Sequence, residues 1–140
     1  MQNDGTLMEP IEIISWDGQP LTYIIHGEFL PDQTTFLTPN DYKQQVGFIV
    51  YPPAGEVKRH VHRSIERQLK GTSEVLVLRK GRCIMDIYND QKELVASREL
   101  KTGDIMLMVS GGHGFRMLEE TVFLEVKQGP YLGIDEKESF

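Results

Sequence analysis

The chain is poor in cysteine. Of its 140 residues only Cys83 carries a thiol, so no internal disulfide can form and no cysteine-rich metal site can be built. No apolar run approaches the roughly 20 residues a membrane helix needs, and no membrane segment is expected. Positive charge is also in short supply. Lys and Arg number 15 against 21 Asp and Glu, a net charge of −6, which argues against nucleic acid or an anionic membrane as partner. The opening MQNDGTLMEP has neither the basic n-region nor the apolar h-region of a secretory signal, so a cytoplasmic location is expected. Repeats at solenoid periods and low-complexity tracts are missing too.

What is present is an ordinary globular composition, 39% hydrophobic and 26% charged, in a chain of single-domain length. Short β-rich runs alternate with turn residues. Ile11 to Trp16 is followed by Asp17-Gly18, a strong hairpin signal, and then by Leu21 to Ile25. Further runs are Val46 to Tyr51, Val57 to His62, Glu74 to Leu78, Arg82 to Tyr88, Leu94 to Leu100, Ile105 to Val109, Phe115 to Leu118 and Val122 to Lys127. Such spacing predicts an all-β antiparallel sandwich or barrel. Ser64 to Lys70 breaks the rhythm: a capping serine, good helix formers and Gly71 predict one or two helical turns. The first 45 residues are less clearly patterned, and Asp135 to Phe140 reads as a polar tail.

Four residues stand out as candidate metal ligands. His60 and His62, two apart in a strand-like run, would project from one face. Glu74 opens the next strand and His113 follows the Gly103 strand, which could bring a carboxylate and a third imidazole to the same place. Nitrogen donors with one hard oxygen suit divalent iron, manganese, nickel, cobalt or zinc.

The order Gly55-x4-His60-x-His62, then Glu74-x6-Gly81, then Gly103-Asp104 and His113 resembles the two motifs of the cupin superfamily, over about residues 46–127. The resemblance implies a small jelly-roll-like antiparallel β-barrel holding one divalent metal through His60, His62, Glu74 and His113. Residues 46–127 would be the barrel core, 1–45 strands or an arm of the same domain, and 128–140 a tail. Eleven residues separate His62 from Glu74 where the family has only a few, so Ser64–Lys70 would be an insertion at the barrel mouth. Glu66 fits the shorter spacing and is the rival carboxylate; Glu74 is preferred because it leads an apolar strand that ends at Gly81. The second motif carries Val109-Ser110 where a proline is usual, and it is one residue short before His113.

Around the histidine pair lie Lys58, Arg59, Arg63, Arg67 and Lys70, opposed only by Glu66. Arg63, Arg67 and Lys70 are candidate contacts to an anionic ligand, although a solvated face explains them equally well. His26 reads as a strand or turn histidine and Cys83 as core, while Arg116 could point inward or outward. Tyr23, Tyr88 and Tyr131 could each supply a proton, and none is singled out as catalytic.

The resemblance implies a metal-dependent enzyme of isomerase or oxygenase type, acting on a small polar, anionic or carbohydrate-like molecule. The alternative is a non-catalytic metal-dependent sugar-binding or sensor protein. Sugar isomerases of the family commonly carry Lys after the second histidine, where this chain has Arg63. A homodimer is expected, with Ile11, Ile13, Trp16, Ile24 and Ile25 of the N-terminal hairpin available for the interface or for the chain's own core.

Overall fold

The computed structural model describes residues 9–140; the first eight residues of the expected N-terminal arm lie outside the described residues. The described chain is almost entirely β and antiparallel. Its strands are β1 (Ile11–Trp16), β2 (Gln19–Ile25), β3 (Thr35–Phe36), β4 (Gly47–Phe48) and β5 (Glu74–Lys80), then β6 (Arg82–Tyr88), β7 (Leu94–Lys101), β8 (Ile105–Met108), β9 (Gly112–Met117) and β10 (Val122–Lys127). A short 3-10 helix covers Gly133–Glu136. Among the described residues no helix is long and apolar enough to cross a membrane.

Residues 9–29 and 72–140 form one compact unit, and Leu30–Gly71 form another. The first unit is a two-sheet sandwich. One sheet has the order β1-β2-β8-β5-β10 and the other β7-β6-β9. Alternation along the strands explains the core between them. Leu76 and Leu78 of β5, Cys83, Met85 and Ile87 of β6, and Met106 and Met108 of β8 all turn inward, with Ile14 and Ile24 from the hairpin. Phe115 of β9 and Phe123 of β10 pack against this cluster, their ring centroids 5.0 Å apart. Ile24 and Ile25 are therefore consumed by the chain's own packing, while Ile13 and Trp16 remain exposed.

Tight turns set the architecture. Asp17 and Gly18 both have positive φ (50° and 77°), the backbone of a two-residue turn whose twist matches the flanking strands. Gly81 (φ 95°) takes the chain from β5 in one sheet to β6 in the other. A Cβ there would lie 2.2 Å from the Glu120 carbonyl oxygen, so the position admits only glycine. Asp104 is a buried structural carboxylate. Its oxygens accept from the Gly27 and Lys101 amides, both at 2.9 Å, tying the β7–β8 turn to the end of β2.

Four expectations are corrected. The sandwich is not a closed barrel: β1 and β10 end one sheet, β7 and β9 end the other, and no described strand pair joins them. The second unit holds only the β3–β4 pair as regular structure. The expected strand at Val46–Tyr51 shrinks to Gly47–Phe48, and Ile49, Val50 and Tyr51 beyond it are exposed and bury too little to extend it. Neither the strand at Val57–His62 nor the helix at Ser64–Lys70 forms. Seven residues are too few to nucleate a helix in water without tertiary packing, and Val61, Ile65 and Leu69 are all exposed.

Candidate metal centre

Inside the sandwich, one end of the apolar core gives way to charge. On β5 the inward positions run Leu78, Leu76, Glu74; on β9 they run Phe115, His113; on β10 they run Phe123, Glu125, Lys127. The registers place Glu125 opposite Leu76 and Lys127 opposite Glu74 on the neighbouring strand. From the other sheet, His113 lies opposite Ile87. Glu74 and His113 thus approach each other from two different sheets, with His113 Nε2 3.4 Å from Glu74 Oε1.

Both side chains are anchored. Ser73, buried just before Glu74, has its amide held at 2.7 Å by Gln128 Oε1, and its hydroxyl donates to the Met108 carbonyl at 3.2 Å. Before His113, Ser110 donates its hydroxyl to the Pro20 carbonyl at 2.8 Å, and the Val109 amide donates to Leu21 at 2.8 Å. The His113 ring then rests on Phe115, centroids 5.9 Å apart. A carboxylate oxygen and an imidazole nitrogen are held facing one another at the rim of an apolar core.

The electrostatics are uneven. The hydrogen bond from His113 holds the Glu74 carboxyl at about 2, against an ordinary 4.5, despite the burial that opposes ionisation. Glu125 moves the other way: its hydrogen bond to Glu74, then burial, then the Glu74 charge push its carboxyl up. Lys127 Nζ lies 3.8 Å from Glu125 Oε1 and 5.4 Å from the centroid of the Tyr131 ring. Sequence reasoning missed Glu125 and Lys127, although their parity with Phe123 in the run VFLEVK was a readable sign that both face inward.

In the second unit, His60 and His62 are exposed on a segment without regular structure, their ring centroids 5.2 Å apart. His60 Nδ1 is 2.8 Å from the Lys58 carbonyl. A carbonyl can only accept, so Nδ1 carries the proton and Nε2 is the lone-pair nitrogen of the neutral ring. Glu66, Arg63, Arg67 and Lys70 belong to the same exposed segment. Arg67 helps line an open groove of about 690 Å³ with Tyr42, Lys43 and Gln45, and Lys43 donates to the Lys70 carbonyl. With no helix to order them, Arg63 and Arg67 do not share a helical face.

The remaining candidates have structural partners. His26 Nε2 is 3.3 Å from Glu12, which also accepts from Arg98 at 2.9 Å. Arg116 points outward from β9 and grips both oxygens of Asp86 at 2.9 Å. Cys83 is buried in the core, and burial pushes its thiol up, away from reactivity. Tyr88 packs edge-on against Phe140, centroids 5.0 Å apart. Among the described residues, no group of three or more His, Cys, Asp or Glu is arranged to hold a metal ion. Comparison with protein-family models, curated proteins and solved structures gives no match.

Proposed function

We propose that this chain is a cupin-like metalloprotein that holds one divalent ion through Glu74 and His113 and acts on a small polar, anionic or carbohydrate-like molecule. The observation that carries the reading is the Glu74–His113 approach at 3.4 Å from two separate sheets. Two donors held by rigid strands at the polar rim of an apolar interior are what a metal centre needs from its scaffold. Their chemistry, one carboxylate oxygen and one imidazole nitrogen, fits iron, manganese, nickel, cobalt or zinc. His60 and His62 enter this reading from the sequence motif alone, as the remaining nitrogen donors. A jelly-roll-like arrangement of the two open sheets is likewise carried by the motif, supported by antiparallel strands that change sheets at tight turns.

A bound ion would supply Lewis-acid or redox chemistry, the basis of an isomerase or an oxygenase. Glu74 and His113 orient it, and Glu125, beside Glu74, is exposed enough to meet a ligand. Arg63, Arg67 and Lys70 are read as cations that attract an anionic ligand. A second reading, a non-catalytic binding protein for the same ligand class, is favoured by Lys127, whose ammonium stands 3.8 Å from the Glu125 carboxyl beside the site.

The test is calorimetric titration of Mn²⁺, Zn²⁺, Ni²⁺ and anaerobic Fe²⁺, each alone, into the untagged chain and its Glu74→Ala variant. One site per chain that disappears in the variant is expected. Equal binding by both proteins, or none by the wild type, would overturn the assignment.

A further inference from the structure

We infer that β10 pairs with β10 of a second copy across a two-fold axis through Leu124, joining two five-stranded sheets into one. β10 is an edge strand, so the peptide groups on its outer side have no ladder partner within the sheet. Its outward side chains are all aliphatic: Val122, Leu124 and Val126 are 48%, 49% and 50% exposed. The apolar face continues into the sheet, because Leu124 lies beside Val77 and Val126 beside Val75. Such a strand is a template for another strand, and the question is whose.

The spacing answers it. A two-fold axis at Leu124 sets Leu124 against itself and Val122 against Val126 of the other copy, so every outward contact is aliphatic on aliphatic. On the inward side, Glu125 meets Phe123 of the second copy rather than another carboxylate. The pairing is self-complementary and brings no like charges together, which matters in a chain of net −6. The opposite edge is less available. There Arg98 of β7 reaches across to Glu12 of β1 at 2.9 Å, closing that side of the sandwich. At the β10 side, β9 and β10 meet through the Phe115 and Phe123 rings, which lie inward of the edge. A six-residue strand is only about 20 Å long, so the joint falls below the roughly 1,200 Å² of a standard interface. The dimer is therefore weak and concentration-dependent.

Sedimentation equilibrium from micromolar to millimolar concentration tests the inference, with circular dichroism reporting the fold. The wild type should pass from monomer to dimer. The Val122→Glu, Val126→Glu double variant sets like charges opposite one another and should raise the dissociation constant about tenfold or more. The Val122→Lys, Val126→Glu double variant sets opposite charges together and should keep the dimer, with an affinity that falls as salt is added. An Ile13→Lys variant on the β1 edge should dimerise like the wild type. Equal dimerisation by the two double variants would overturn the pairing. So would a wild type that stays monomeric, or loss of the dimer in Ile13→Lys, or an edge that takes a foreign strand in place of its own copy.

Discussion

Two carboxylates lie against the two faces of β9, and the chain treats them differently. On the outer face Asp86 is saturated. Arg116 Nε and Nη2 each donate to it at 2.9 Å, and Ser97 Oγ donates at 2.6 Å. Arg116 and Ser97 hold its carboxyl below the ordinary value. On the inner face Glu74 has one imidazole at 3.4 Å and a second carboxyl beside it. A carboxylate whose oxygens are all taken by its own chain is a structural bond between strands. Glu74 keeps its charge through a single imidazole, and the cost of the neighbouring carboxyl falls on Glu125, which is pushed up; such uneven pairs tend to mark functional sites.

The largest expected effect treats both regions alike. Leu78 lies in the core behind Glu74, and Leu78→Ala should cost about 2 to 5 kcal/mol of stability in denaturant unfolding. That loss should come without preference for either cluster. The next effects separate them. His113→Ala should weaken divalent metal binding by roughly a hundredfold or more, above what losing an outer-shell partner costs. Glu125→Gln, which keeps the shape and removes the charge, should weaken it by roughly tenfold. Titration calorimetry reads both, and comparable losses in Asp86→Ala would erase the distinction.

Acid sensitivity is the smallest effect. Folding lowers the Glu74 carboxyl from 4.5 to about 2, so its stabilisation is complete above 4.5 and is lost as the pH falls towards 2. Glu125 has a raised value, so its contribution is present in acid and is lost as the pH rises, partly offsetting Glu74. Melting temperatures measured across this acid range should fall less steeply for Glu74→Gln than for the wild type. Parallel curves would mean that the Glu74–His113 contact adds no net stability.

Much of the strand framework was legible. Ile11–Trp16, Arg82–Tyr88 and Val122–Lys127 keep the bounds their alternation suggests, and Asp17-Gly18 makes its turn. These features are local: parity along a strand and the backbone freedom of a dipeptide decide them. Val57–His62 and Ser64–Lys70 had the right residue types but bury almost nothing, and propensity alone does not hold so short a segment. The meeting of Glu74 and His113 was expected from the motif order alone, since β5 and β9 belong to different sheets and share no ladder that a local pattern could reveal. Glu125 was not singled out, because it takes the β10–β5 register to show what it stands beside.

The metal content of untagged protein, purified as wild type, His113→Ala and Arg116→Ala, tests the central distinction most directly. One divalent ion per chain should be found in the wild type and in Arg116→Ala, and almost none in His113→Ala. Equal metal in all three, or a loss in Arg116→Ala that matches the loss in His113→Ala, would contradict it.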